Sequence, residues 1–261
     1  MRGLLFDMDG VLYHAEDPIP GAAEAIRWVR QQGIPHLFVT NTTSHPRASL
    51  AEKLARFGIP GSEDDILTPC DVAAAWLRQR PGEPVALFVK PAAQQAFEGI
   101  ARVPEGAESG ARHVVVGDLA ERWDFATINR AFRLLHSDPD ATLIALGMTR
   151  FWKDRDGLSL DTAPFVALLE HATGRRPLVF GKPSEAFFGE AAARLGLARQ
   201  ELLMVGDDIV TDVGGAQQAG LKGAMVRTGK FRPSDLAGAV RPDAVIDSIA
   251  ALPAWWRETA R

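Results

Sequence analysis

The sequence predicts an α/β fold built on a largely parallel sheet, with a second α/β unit inserted into its middle. Three observations carry this expectation. Short apolar runs alternate with longer amphipathic stretches through most of the 261 residues, as in successive βα units. Polar and acidic residues collect directly after four of the apolar runs, the edge where ligands bind in an open α/β sheet. The alternation also restarts after Pro81-Gly82-Glu83-Pro84 and again after Gly174-Arg175-Arg176-Pro177.

The elements follow in order. Residues 3–6 (Gly-Leu-Leu-Phe) read as a short strand, apolar on both faces as a buried parallel strand requires. Residues 20–32 carry Ala23, Ile26 and Val29 at helical spacing and stop at Gly33. A strand over 35–39 runs into Thr40-Asn41-Thr42, and a helix over 49–57 is closed by Gly58. Residues 66–68 read as a short strand and 71–80 as a helix. The middle third repeats the pattern, with strands at 85–89, 113–116 and 142–146 and helices at 125–136 and 163–172. A strand at 178–180, a helix at 184–195, a strand at 202–205, a helix at 213–219 and a strand at 223–226 complete the chain. Residues 1–82 and 175–261 are therefore expected to form one discontinuous domain, and 83–174 the inserted one.

Composition narrows the function classes. A net charge of −4 provides no basic field for nucleic acid or an anionic membrane. No apolar run approaches the roughly 20 residues that span a bilayer, and the opening residues are charged too early for a secretory signal. The single cysteine, Cys70, excludes an intrachain disulfide framework and suits a cytoplasmic protein. Cys70 reads as a small half-buried residue at a helix start, and Trp255 and Trp256 as packing for a terminal helix, with a homodimer interface left open.

Four clusters carry chemistry. In Asp7-Met8-Asp9-Gly10, two carboxylates follow a buried strand and repel each other; a hard divalent cation relieves that repulsion, although an Asp-Gly turn has the same sequence. Thr40-Asn41-Thr42 offers a hydroxyl and N–H groups for an anion, or routine helix caps. In Gly181-Lys182-Pro183-Ser184, Lys182 is a point charge suited to a phosphate oxygen. Three carboxylates in Gly206-Asp207-Asp208-Ile209-Val210-Thr211-Asp212 stand behind an apolar strand and need a cation or many donors.

Taken in this order, each after a strand, the four clusters resemble the haloacid dehalogenase (HAD) superfamily. The runs 205–217 and 226–233 resemble its subfamily IIA, whose members carry a large α/β cap between the Thr and Lys motifs. The resemblance implies a Rossmann-like parallel-sheet core and a Mg²⁺-dependent phosphatase with an aspartyl-phosphate intermediate. It implies Asp7 as nucleophile and Asp9 as general acid/base, with the Asp9 backbone carbonyl also on the metal. Thr40 and the Asn41 backbone would hold phosphoryl oxygens, and Lys182 would neutralise charge between Asp7 and the phosphate. Asp207 would complete the metal set with Asp7 and Asp9, while Asp208 or Asp212 orients it. The implied partner is a small phosphorylated molecule, with pyrophosphate or a phosphoamide suggested by the subgroup.

The physical requirements agree with these roles. Phosphoryl transfer needs an in-line nucleophile and dispersed charge on three oxygens, and a carboxylate nucleophile gives an acyl phosphate that water can clear. A phospho-accepting receiver domain also uses paired acids, Thr and Lys, but is about half this length and carries its acceptor centrally. A phosphotransferase of the same superfamily remains an alternative. Lys90, Asp118, Arg150 and Lys153 stand at or after strand ends of the inserted segment, where they could face a leaving group or simply be surface charges.

Overall fold

The computed structural model describes residues 1–154 and 157–259. The chain forms two compact units. The first comprises Met1–Thr40, Arg47–Leu67 and Lys182–Arg261, and the second Asn41–Pro46 and Thr68–Gly181. These divisions lie away from the sequence breaks near 82–84 and 174–177.

The first unit is built on a six-stranded, wholly parallel sheet. Its order is Ala244–Ile246, Lys222–Val226, Leu202–Gly206, Gly3–Asp7, His36–Val39, Ile66–Leu67. All five residues of Gly3–Asp7 are buried, which explains why that segment is apolar on both faces. On one side it pairs with the sheet's next strand in sequence, His36–Val39, with Phe6 opposite Phe38; on the other it pairs with a strand about 200 residues later, with Phe6 opposite Val205. The chain order reverses between these two neighbours, which opens a crevice at their carboxyl ends.

Helix Ala22–Gln31 buries Ala22, Ala25, Ile26 and Val29, a single stripe at helical spacing, against Phe6, Leu203 and Val226. Each fully buried large side chain contributes about 1.5–3 kcal/mol. The terminal helix Leu252–Thr259 adds Leu252 and Trp256, four residues apart, and Trp255 packs on the same core. Strand Ala244–Ile246 and the hairpin Tyr13–His14/Asp17–Pro18 have no counterpart in the sequence reading.

The second unit carries four parallel strands in the order Leu178–Val179, Thr142–Ala145, His113–Val116, Val85–Phe88. Leu178–Val179, expected to begin the second half of the first sheet, instead pairs with Ile144 and Ala145 and stays with the second unit. The Phe180 N–H continues that ladder to Ala145 O at 2.9 Å. Helix Pro69–Arg78 begins with a capping box between Thr68 and Asp71 and also belongs here. Phe88, Trp123 and Phe165 stack in series in its core, with ring centroids 5.7 and 4.8 Å apart. An antiparallel hairpin, Phe151–Asp154 with Gly157–Leu160, projects Phe151, Trp152, Leu158 and Leu160 into solvent. The Lys153 side chain lies outside the described residues.

Cys70 is fully buried near the start of helix Pro69–Arg78, and burial pushes its thiol up to about 12. It is inert as a nucleophile at neutral pH. Among the described residues, no helix is long and apolar enough to cross a membrane.

Candidate active site

Strand ends assemble the site. Gly3–Asp7 delivers Asp7, and its neighbour Leu202–Gly206 delivers Asp207, to the crevice where the strand order reverses. The π-helix Ile209–Gly214 that follows brings Asp212 back beside them. Carboxylate oxygens of Asp7, Asp207 and Asp212 lie within 4.8 Å of one another, and Asp207 and Asp212 are each 1% exposed.

Lys182 follows the crossing from the second unit and reaches into this cluster. Its Nζ donates to Asp7 Oδ1 at 2.6 Å and to Asp212 Oδ1 at 2.7 Å. The turn after it is capped by Ser184, whose hydroxyl accepts the Phe187 N–H at 3.3 Å. The side-chain cap of helix Glu185–Leu195 is thus Ser184 and not Lys182.

Asp208 has a different place from Asp212. Its Oδ1 accepts the N–H groups of Val210 and Thr211, each at 3.0 Å, so it caps the π-helix. The Asp208 N–H in turn donates to Asp212 Oδ2 at 3.2 Å, and Lys230 Nζ lies 3.4 Å from Asp208 Oδ2. Burial would raise the Asp208 carboxyl, but the Thr211 N–H and the Lys230 ammonium hold it below the ordinary carboxylate value. Asp208 orients the loop, and Asp212 faces the cluster.

The loop after Lys222–Val226 was not assigned a role from sequence, yet it closes the site. The Lys230 N–H donates to Asp207 Oδ2 at 2.8 Å, and Thr228 Oγ1 donates to Gly10 O at 2.5 Å. Gly10 and Gly229 both have positive φ, +84° and +64°, and a Cβ on either would strike the Asp207 carboxylate. Glycine is required there because two backbones approach one buried acid. The sequence signal was the Thr228-Gly229-Lys230 run at a strand end, which resembles the anion-holding turns already noted.

The electrostatics call for a cation. Three carboxylates face one ammonium, so two negative charges remain, the charge of one divalent ion. Asp207 Oδ1 is buried with no hydrogen-bond partner, an arrangement costly unless something else coordinates it. Burial pushes the Asp207 and Asp212 carboxyls up to about 6 and raises Asp7 as well, with Lys182 opposing the shift at Asp7 and Asp212. Burial opposes the Lys182 charge, but Asp212 and Asp7 together raise its pKa. Hard oxygen donors with an unsatisfied oxygen and an excess of two charges fit a hard divalent cation.

The remaining sequence candidates stand nearby in the chain. Thr40 ends strand His36–Val39 next to the Asp7 strand, and its N–H goes to Leu67 O at 3.2 Å. Asn41, the next residue, belongs to the second unit. The Asp9 side chain is two-thirds exposed, with His14 Nδ1 3.5 Å from its Oδ1, and is not among the three clustered carboxylates.

Residues 4–101 match the family model for haloacid dehalogenase-like hydrolases, and residues 179–252 match a second, HAD-hydrolase-like model. The phospholysine phosphohistidine inorganic pyrophosphate phosphatase of Xenopus laevis is 37% identical over 240 residues, 90% of this chain and 86% of that protein. Haloacid dehalogenase-like hydrolase domain-containing protein 2 of Bos taurus is 38% identical over 235 residues, 90% of this chain and 87% of that protein. Among solved structures, the p-nitrophenyl phosphatase from Archaeoglobus fulgidus superposes with a TM-score of 0.86 at 28% identity, covering 95% of this chain and 97% of that one. The chain belongs to the haloacid dehalogenase-like hydrolases and, within them, to subfamily IIA.

Proposed function

We propose that this hydrolase is a Mg²⁺-dependent phosphatase that transfers a phosphoryl group to Asp7 and then to water. The observation that supports it most is the buried cluster of Asp7, Asp207 and Asp212 around Lys182, with Asp207 Oδ1 left unsatisfied. Asp7, Asp207 and the Asp9 backbone carbonyl would hold the ion, with Asp212 beside them, and the ion would screen the phosphoryl oxygens as they meet a carboxylate.

In the first step an Asp7 carboxylate oxygen bonds to phosphorus while the bond from phosphorus to the leaving atom breaks, an oxygen in pyrophosphate or an ester and a nitrogen in a phosphoamide. Asp9 gives its proton to that leaving atom. In the second step a water oxygen bonds to phosphorus, its proton passes to Asp9, and the bond to Asp7 breaks to release phosphate. Lys182 lowers the repulsion between Asp7 and the incoming anion. Thr40 and the Asn41 N–H hold phosphoryl oxygens in line. The second unit acts as a cap that excludes water in the first step and admits it in the second. Its size favours a small phosphorylated substrate, with pyrophosphate or a phosphoamide foremost, in the cytoplasm.

The test is phosphate release in the presence of Mg²⁺ across pyrophosphate, phosphoamides, sugar phosphates and nucleotides. Release that vanishes with EDTA and returns with Mg²⁺ is expected for at least one class. No release from any of them would refute the proposal.

Metal binding also carries a pH signature. Asp207 and Asp212 titrate near 6 in the metal-free fold but near 4 when unfolded. Their raised values favour the fold most below about pH 4, and that advantage disappears as pH rises through about 6. A cation replaces those protons, so Mg²⁺ should raise Tm more at pH 7.5 than at pH 5. At a hundred times Kd the stabilisation is about 2.7 kcal/mol. Equal shifts in Tm at the two pH values would contradict the assignment of the site.

A further inference from the structure

In the second unit, the carboxyl ends of two adjacent parallel strands, Val85–Phe88 and His113–Val116, meet the segment Asn41–Pro46 in one polar cluster. Asp118 is its centre and is 8% exposed. Its Oδ2 accepts Ser44 Oγ–H at 2.5 Å and Lys90 Nζ–H at 2.6 Å, and its Oδ1 accepts the Ala120 N–H at 2.8 Å. The Asp118 N–H donates to Thr43 Oγ1 at 3.2 Å, and its carbonyl accepts the Lys90 N–H at 3.2 Å. One residue therefore grips two consecutive residues, Thr43 from its main chain and Ser44 from its side chain.

The local backbone is bent to make this grip. Ala120 has φ +50°, a left-handed conformation that alanine rarely adopts, and its N–H is the one the carboxylate holds. An ion pair whose Asp118 half is buried, with the Lys90 side chain 31% exposed, is also a costlier way to anchor a surface loop than hydroxyls alone. Burial alone would raise the Asp118 carboxyl; Lys90, Ser44 and the Ala120 N–H hold it below its ordinary value, so it is charged at neutral pH. Strain and a buried charge at one loop contact mark a position whose geometry matters beyond stability.

We infer that Asp118 is a positioning residue: by clasping Thr43 and Ser44 it fixes the Thr40–Asn41 pair that precedes them in the chain. This rests on the proposed role of Thr40 and Asn41 in holding phosphoryl oxygens. Ser44 lies three positions after Asn41, a reach of at most about 11 Å, so holding Ser44 by the Asp118 carboxylate restricts where the Asn41 N–H can stand. Lys90 is the counter-charge that keeps the Asp118 carboxylate ionised and in place. Asp118 would thereby tune phosphate affinity through the chain itself, without touching the phosphoryl group.

The test is calorimetric binding of inorganic phosphate, with Mg²⁺, to the wild type, Ser44→Ala, Asp118→Asn, Asp118→Ala and the Ser44→Ala/Asp118→Ala double variant. Kinetics with p-nitrophenyl phosphate and melting curves accompany it. Displacement of positioning groups gives changes of this order, so Asp118→Ala should weaken phosphate binding about tenfold or more. KM should rise more than kcat falls. Asp118→Asn still accepts from Ser44 and Ala120 and should fall between wild type and Asp118→Ala. The double variant should match Asp118→Ala, because both changes cut the same link. Folded Ser44→Ala and Asp118→Asn variants that bind phosphate within twofold of wild type would overturn the inference while leaving the phosphatase reading intact. A wild type that neither binds nor releases phosphate would overturn both.

Discussion

Replacing Asp7 by asparagine is expected to abolish turnover, with kcat falling by on the order of 10⁴-fold or more, as when a nucleophile is removed from a group that acts as a unit. The fold should survive. Asp7 is one of three crowded carboxylates, and burial together with Asp207 already disfavours its charge. An isosteric amide removes that repulsion and can still accept from Lys182, so the metal-free Tm should hold or rise. Asp9→Asn behaves differently, because its side chain is exposed and its backbone carbonyl is unchanged. It should slow turnover by roughly 10²–10⁴-fold, the range of general acid–base catalysis, while keeping the Mg²⁺-induced rise in Tm. Turnover of Asp7→Asn within tenfold of wild type would show that another group takes the phosphoryl.

Lys182→Ala should cost both activity and stability. Like charges about 4 Å apart repel by about 4 kcal/mol at an effective ε of 20, and Lys182 is the ammonium that relieves this between Asp7 and an incoming anion. A loss of roughly two or more orders of magnitude in kcat/KM follows, the scale of removing a preorganised charge. The structure adds a stability consequence. Lys182 is 4% exposed and bridges Asp7 and Asp212, and removing one partner of a buried ion pair costs about 3–5 kcal/mol. The destabilisation should be greatest above pH 6, where Asp212, pushed up to about 6, would otherwise be ionised. Mg²⁺ should recover part of the lost Tm. Lys182→Arg should not restore kcat/KM, because a planar fork does not fit a gap shaped for a compact ammonium. Near-normal kinetics in Lys182→Ala would mean that the lysine only supports the turn before the Ser184 cap.

The sequence exposed the parallel core because its strands are buried on both faces and leave uninterrupted apolar runs, as at Gly3–Asp7 and Leu202–Gly206. It pointed to Asp7, Lys182, Asp207 and Asp212 through the order of the four clusters and the resemblance they carry, since an Asp-Gly turn or a surface lysine has the same local sequence. It did not separate Asp208 from Asp212. Their difference is a π-helical turn that converts a four-residue spacing into one capping group and one inward group. Strand Leu178–Val179 was assigned to the wrong sheet because two apolar residues carry no information about their partner; only the pairing with Ile144 and Ala145 decides it. The need for glycine at Gly229 arises partly from its approach to Gly10, more than 200 residues away, and the Lys230 N–H bond to Asp207 spans 23 residues, both beyond the reach of local pattern. The clasp at Asp118 is hidden for the same reason, since Ser44 and Asp118 are 74 residues apart.

The central claim is that the phosphoryl group changes hands twice, first to Asp7 and then to water. The stereochemical course at phosphorus tests it most directly. A thiophosphate monoester made chiral with ¹⁸O is hydrolysed in ¹⁷O-water, and the configuration of the released inorganic thiophosphate is determined. Each in-line displacement inverts phosphorus, so transfer through an aspartyl phosphate predicts net retention. Net inversion would mean a single direct attack by water and would contradict the role assigned to Asp7.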